Sequence, residues 1–443
     1  MATLRIHGGV PLKGHIHPSA NKNAVLPTLC STLLTRETVT LHRVPDITDV
    51  RKILSFFRDL GSDVDADFET GVVKLRHGPN LNPTNAALPS AMRSSVMLVP
   101  GLMHRFGRAV LQDDSKGCTL GLREIDPHIE TFEAFGAAIS VTEEGVVITA
   151  PKVFKPANLW LDYASVTTTE NFLMCAAMTA GNSTLTNAAC EPHVQEFCRF
   201  LSSLGARIEG TGASSLKVHG GKDLSGGEIT FEDDFHEVAT FLAMSAITGG
   251  EIRVRNSEPD QFGLIDRAFA KFGVKITHEG GWSTASLDGP LAVKPSFTPH
   301  MTPKIEAAPW PYMPADLLPI FLALGVRADG EMLFWNKVYE GALGWTTELG
   351  KFGAPVLTCD PHRVVVFGGK ALAAAEVESP YIIRAAIALL MVAASIPGLS
   401  VIRNADPIRR AHPAFAENLR SLGADVSWDD EPEVVKTPRL VSV

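Results

Sequence analysis

Apolar side chains recur along this chain at helical spacing and stop, six times over, at a glycine followed by alternating residues. The stops are Leu60-Gly61-Ser62-Asp63-Val64, Phe135-Gly136-Ala137-Ala138-Ile139, Leu204-Gly205-Ala206-Arg207-Ile208, Phe272-Gly273-Val274-Lys275-Ile276, Phe352-Gly353-Ala354-Pro355-Val356 and Leu422-Gly423-Ala424-Asp425-Val426. Ahead of the first, Ile53, Leu54, Phe57 and Leu60 share one helical face, and ahead of the last Phe415, Leu419 and Leu422 do the same. Glycine after the final apolar position supplies the left-handed turn that a Cβ resists, and the alternation beyond it starts a strand. Copies recur at roughly 70 residues, longer than the period of about 20–50 found in solenoids, so each is predicted to be a small α/β unit.

Six units predict two similar domains of three units each, joined near Phe231-Glu232-Asp233-Asp234. The opening strand, Leu4-Arg5-Ile6, precedes the turn Pro18-Ser19-Ala20-Asn21-Lys22-Asn23 and is assigned to the second half, which makes that turn one of two crossings. The expected domains are 22–232, and 1–21 together with 233–443. No low-complexity linker separates them.

Composition narrows the class. With 443 residues, 45% hydrophobic and 20% charged, the chain reads as a soluble globular protein with a large core. The start lacks an apolar leader, and the longest apolar stretch, 385–394, is too short for a bilayer, so a cytoplasmic location without a membrane partner is expected. Cys30, Cys118, Cys175, Cys190, Cys198 and Cys359 show neither paired spacing nor histidine neighbours suited to zinc, and most are read as reduced, buried small hydrophobes. A net charge of −9 argues against a nucleic-acid partner. Phosphate-loop, serine-hydrolase and zinc-protease motifs are missing, and Gly210-Thr211-Gly212 lacks the third glycine of a dinucleotide loop. No metal and no cofactor are expected. An anionic ligand would need a local basic pocket.

Such a pocket is suggested by charges at helix starts, where the dipole favours acids. Lys22 precedes a helix predicted over 24–34, Arg93 opens one over 92–103, Arg384 opens 385–394, and Arg409-Arg410 precede a helix at Pro413. Each alone is as readily a solvated surface charge. Together, cations beside free backbone N–H groups point to a phosphate or carboxylate.

The segment Pro18-Ser19-Ala20-Asn21-Lys22-Asn23-Ala24-Val25-Leu26-Pro27 resembles the Lys-Asn turn of the enolpyruvyl transferases, above all the branch acting on UDP-N-acetylglucosamine. Collinear matches follow at Met92-Arg93-Ser94-Ser95, Gly117-Cys118-Thr119-Leu120-Gly121-Leu122-Arg123, Asp126-Pro127-His128-Ile129, Asn187-Ala188-Ala189-Cys190-Glu191-Pro192 and Pro314-Ala315-Asp316. The resemblance implies an α/β fold of the inverse α/β prism type, two domains each of three βαβαββ-type repeats, with the active site in the interdomain cleft. It also implies transfer of the enolpyruvyl (1-carboxyvinyl) group from phosphoenolpyruvate to a hydroxyl by addition and elimination, releasing phosphate.

By the same resemblance Lys22, Arg123 and Arg410 would hold the phosphate and carboxylate of phosphoenolpyruvate, with Arg93 and Arg384 in support; arginine forks suit both groups. Cys118 corresponds to a mobile-loop cysteine that fosfomycin alkylates. Lys116 and Arg123 nearby favour its thiolate, whereas a general acid needs the thiol, so acid, nucleophile or both stay open. Asp316 aligns with a general base and is also a common first-turn acid. Asn23 is read as an acceptor contact or an N-cap. Arg123 to Pro127, with Asp126, would bind uridine, and Ser165, Val166 and Thr167 a diphosphate. Three departures stand out: the charged approach Gln112-Asp113-Asp114-Ser115-Lys116-Gly117, Phe235 after Asp234, and Asn336-Lys337 where the family has Asn-Arg. They favour an altered acceptor such as UMP, as in nucleoside-antibiotic pathways. The alternatives are UDP-N-acetylglucosamine, as in cell-wall synthesis, and a binding protein for nucleotide or phosphoenolpyruvate without turnover. Oligomeric state is not indicated by the sequence.

Overall fold

In the computed structural model, which describes residues 2–82, 84, 88–89, 92–112 and 124–431, the six glycine stops all take a left-handed backbone, with φ from 77° at Gly273 to 110° at Gly205. Each is followed by a strand: Asp63–Asp67, Ala138–Thr142, Arg207–Glu209, Val274–Glu279, Val356–Asp360 and Asp425–Trp428. Every one of these strands lies at the edge of its own sheet. The glycine turn therefore does the same job six times, reversing the chain from a covering helix into a sheet edge. One covering segment differs from expectation, because Gly344–Phe352 is a 3-10 helix.

The six sheets share one plan. In the first, Gly227–Thr230 runs parallel to Val39–His42, which pairs antiparallel with Val72–Arg76 and so with the edge strand Asp63–Asp67. Four others repeat this order of one parallel and two antiparallel pairings, and the sixth has three strands among the described residues. The last sheet is completed from the opposite end of the chain: Leu4–Gly8 sits between Gly398–Arg403 and Asp425–Trp428, pairing antiparallel with both.

Six further helices lie inside the sheets. They are Lys22–Ser31, Val99–Phe106 and Val166–Met178 in the first half, and Phe235–Thr248, Leu318–Arg327 and Ile383–Ala394 in the second. Those of the second half are apolar almost all round, as helices buried on every side must be. All residues from 384 to 394 and from 235 to 247 are buried. Each Leu or Ile so buried contributes roughly 1.5–3 kcal/mol. By contrast, Thr48–Leu60 buries only Val50, Ile53, Leu54, Phe56, Phe57 and Leu60 and turns its charges outward.

Two apolar cores result. One gathers residues from Ala20 to Phe231; the other joins Leu4, Ile6, Leu12 and Ile16 to residues from Phe235 to Trp428. This is a two-domain α/β fold with helices inside and sheets outside. Among the described residues no helix is long and apolar enough to cross a membrane.

Candidate active site

The two chain crossings lie side by side. Ala20 and Asp233 form an antiparallel bridge, the Asn21 amide donates to the Glu232 carbonyl at 3.3 Å, and the Asp234 amide donates to the Ser19 carbonyl at 2.9 Å. Arg43 fastens the pair, donating to the carbonyls of Pro18 and Phe231 at 3.2 and 2.7 Å and to the buried Asp233 carboxylate at 2.6 Å. The helix starting at Lys22 is thereby held beside the one starting at Phe235. Asn21, not Asn23, caps the first helix: its backbone is extended and its side chain accepts from the Asn23 amide at 3.0 Å.

Charged groups from distant parts of the chain meet here. Asp49, Asp234, Asp316 and Arg384 all lie within electrostatic reach of Lys22. Burial holds the pKa of Lys22 below its ordinary value, although the three carboxylates oppose the shift. Arg410 donates to Asp49 at 3.1 Å, and Arg384 lies 3.5 Å from Asp234. Burial alone would raise the Asp234 pKa, but the His236 ring at 2.9 Å and Arg384 outweigh it, so the carboxyl is held well below the usual range. Asp316 stands in a 3-10 turn, Ala315–Leu317, just ahead of the inner helix Leu318–Arg327. Lys22, Asp316, Arg384 and Arg410 therefore share one locality.

The position of Arg410 corrects the sequence reading. Arg409 and Arg410 occupy the last turn of a short helix, Asp406–Ala411, and the next helix begins only at Phe415. Cations suit that C-terminal position, so their local placement is ordinary and only the tertiary fold turns Arg410 toward Asp49. The predicted helix over 92–103 also resolves differently, as a 3-10 helix Arg93–Leu98 followed by Val99–Phe106. The Arg93 side chain, Cys118 and Arg123 lie outside the described residues.

Several participants carried no signal in the chemistry read from sequence. Glu237, one turn after Asp234, accepts from the Ser19 amide at 2.9 Å and from its hydroxyl, and burial raises its pKa to about 7. His412, two residues after Arg410, lies 3.9 Å from Glu237, and burial lowers its pKa to about 3. From the first domain come Glu191, raised by burial to about 7, and His193, lowered by burial to about 3. His193 stacks on Phe235, which meets Trp310 edge-on. The one available sequence signal is the i, i+3 spacing of Asp234 and Glu237, which puts those two on one side of a helix start.

A neutral cluster lies in the first domain. Ser165 caps the inner helix Val166–Met178, its hydroxyl 2.8 Å from that of Thr168. Thr167 and Asn171 reach the two nitrogens of His128 at 3.3 and 2.9 Å, joining this helix to Asp126–Ala134. Asp126 opens that second helix and is exposed, while Val166 and Thr167 are partly buried.

Two side chains lie at the surface. Lys337 is not drawn into the charged group: it pairs with Glu306 at 3.0 Å, which also binds Lys304, and its ammonium lies over the Trp335 ring. Opposite charge and an aromatic face close by hold it on the sheet surface. Cys359 is exposed on the edge strand Val356–Asp360, unlike the buried Cys30, Cys175, Cys190 and Cys198. As for a metal, Asp234, Glu237 and His412 present donor atoms within 4.8 Å of one another. Arg384 and Lys22 beside them would repel a metal ion held there.

Two helix-cored domains closing on a shared group of cations and carboxylates define a transferase of the enolpyruvyl class. The family described as EPSP synthase (3-phosphoshikimate 1-carboxyvinyltransferase) matches residues 6–419, and the chain belongs to it. UDP-N-acetylglucosamine 1-carboxyvinyltransferase of Borreliella burgdorferi is 35% identical over 430 residues, covering 96% of this chain and 99% of its own. The enzyme of the same name from Bacteroides fragilis is 35% identical over 438 residues, covering 96% and 100%. Among solved structures, the enolpyruvyl transferase NikO from Streptomyces tendae superposes with a TM-score of 0.84 at 23% identity, covering 97% of this chain and 99% of that one. EPSP synthase from Acinetobacter baumannii gives 0.74 at 19% identity, covering 97% and 100%. The chain is an enolpyruvyl transferase with the fold of those structures.

Proposed function

We propose that the chain transfers the enolpyruvyl group of phosphoenolpyruvate to a hydroxyl of a uridine nucleotide, releasing phosphate. The observation that carries this reading is the meeting of Lys22, Asp316, Arg384 and Arg410 at one locality between the domains. Lys22, Arg384 and Arg410, with Arg123 and Arg93, hold the phosphate and carboxylate. Their pairing is strengthened where closure excludes water.

In the addition step a proton is delivered to the methylene carbon, with the Cys118 thiol as its proposed source. The adjacent carbon becomes electrophilic and bonds to the acceptor oxygen. Asp316 takes the hydroxyl proton. In the elimination the methyl group gives back a proton, the carbon–carbon double bond reforms, and the carbon–oxygen bond to phosphate breaks. Lys22 and the arginines balance the charge on the departing phosphate, the kind of preorganised stabilisation that dominates such steps.

The acceptor we favour is UDP-N-acetylglucosamine. Relatives of that activity match the chain along its whole length at 33–35% identity. The surface placement of Lys337 removes one of the departures that spoke for an altered acceptor. A second reading, UMP or a similar nucleotide, draws on Phe235 beside Asp234 and on the fold shared with NikO. Under either, Ser165, Val166 and Thr167 with Asp126 and Asn23 contact the acceptor.

Phosphate release from phosphoenolpyruvate, assayed separately with UDP-N-acetylglucosamine, UMP and shikimate 3-phosphate, tests both. Release with the amino-sugar nucleotide is expected. Release with UMP alone would move the assignment to the second reading, and release with shikimate 3-phosphate alone would sink the uridine assignment. Fosfomycin should label the protein and fail to label Cys118→Ser.

A further inference from the structure

Five buried nitrogens in the charged cluster lack hydrogen-bond partners among the described residues: both ring nitrogens of His193, Arg384 Nη1, and Nδ1 and Nε2 of His412, of which the last three lie together at Arg384 and His412. Side-chain exposure is 10% for Arg384 and 3% for His412, so solvent gives little relief. Buried donors are left unpaired in native folds mainly where something else completes them. We propose that His412 is a further donor to the anionic group of the donor substrate, taking up a proton as that anion enters beside Arg384. This rests on phosphoenolpyruvate as the donor.

The groups around the ring explain why charge has to change there. Lys22 faces it from the first inner helix, Asp234, His236 and Glu237 from the start of Phe235–Thr248, and Arg384 from Ile383–Ala394. Arg410, two residues back, is engaged by Asp49. Burial and the charges of Arg384 and Lys22 hold the pKa of His412 below its ordinary value, against Asp234. An entering phosphate and carboxylate reverse the local sign, and a charged imidazole becomes the favoured state. Glu237 is anchored by Ser19 and stands 3.9 Å from Nδ1, beyond hydrogen-bond reach, so either ring nitrogen is open to the ligand. The cation alternative is disfavoured because a metal ion on Asp234 would sit against Arg384, 3.5 Å away.

Calorimetric titration of the whole protein with phosphoenolpyruvate at pH 7.5, in buffers of differing ionisation heat, reads the proton directly. Close to one proton taken up per ligand is expected, since a site that charges on binding must draw it from solvent. His412→Gln, which retains a donor but cannot take the charge, should abolish the uptake and weaken binding roughly ten-fold. NMR of the wild-type histidine rings provides a readout independent of any variant, with one ring becoming protonated when phosphoenolpyruvate is added. Tight binding without proton uptake, or uptake unchanged in His412→Gln, overturns the assignment of His412 and leaves the donor reading intact. No binding of phosphoenolpyruvate, with or without the uridine nucleotide, overturns the donor reading and this inference with it.

Discussion

The two polar clusters of this molecule are built on opposite principles. Around Thr167 the side chains are hydroxyls, an amide and an imidazole bonded to one another, both His128 nitrogens being engaged by side chains of one helix, with the Asn171 side-chain oxygen left without a partner among the described residues. Around Asp234 charged groups meet, and Arg384 and His412 keep nitrogens without hydrogen-bond partners among the described residues. The first arrangement is held by hydrogen bonds between protein groups and so is largely preorganised, as suits a nucleoside held by shape and hydrogen bonds. The second is an incomplete ion cluster. Its opposing charges hold it together, and its spare donors suit an anion that comes and goes.

This contrast can be broken at either end. The largest effect is expected from Lys22→Gln: losing one preorganised cation should lower kcat/KM for phosphate release by about 10²–10³-fold with little change in melting temperature. An activity within a few-fold of wild type would remove Lys22 from the site. Arg384→Met should instead act mainly on the fold, costing about 3 kcal/mol in chemical denaturation because Asp234 is left buried without its cation. Unchanged stability would mean that His236 alone suffices.

Stability should also report the cluster's neighbours through pH. Burial raises Glu191 and Glu237 to about 7 and Glu196 to about 8, against 4.5 for a free carboxyl. Their contribution is complete below pH 4.5 and is lost as pH rises through 7 to 8. His77, His193 and His412 are lowered by burial to about 3 from 6.5, so theirs is complete above 6.5 and is lost as pH falls toward 3. Between pH 4.5 and 6.5 the two sets of slopes oppose one another. Glu196→Gln, which mimics the protonated acid, should flatten the alkaline limb in pH-dependent melting curves; an unaltered limb would contradict this origin.

At the neutral cluster, Thr167→Val removes one hydrogen bond to His128 and should cost about 1 kcal/mol, seen as a several-fold rise in acceptor KM at constant phosphoenolpyruvate KM. The smallest effect belongs to Lys337→Ala. Exposed surface pairs contribute about 0–1 kcal/mol, so activity should stay within about two-fold; a large loss would show that Lys337 swings into the cleft during turnover.

Local signals carried the repeat well. A glycine after an amphipathic run has one cheap conformation to adopt, so all six helix-to-strand reversals were readable, and so was the assignment of Leu4-Arg5-Ile6 to the far end of the chain. Helix type was less readable where residues near Gly344 and Arg93 form 3-10 turns, because i to i+3 and i to i+4 bonding differ little in sequence pattern. Of the candidate site, Lys22, Asp316, Arg384 and Arg410 were found from charge and resemblance. His412, Glu237, Glu191 and His193 were not, because a lone histidine or glutamate in sequence says nothing about burial.

The order of apolar residues and glycines determined on its own that six α/β units would form, because helix periodicity and left-handed turns depend on near neighbours alone. What only the tertiary structure decided is which charges share a low-dielectric cleft. Two crossings paired through Ala20 and Asp233 bring Lys22 to Asp234, and a helix near the C-terminus brings Arg410 to Asp49. Desolvation and charge coupling act through space, so the same side chains that look ordinary along the chain become a candidate anion site once the fold brings them together.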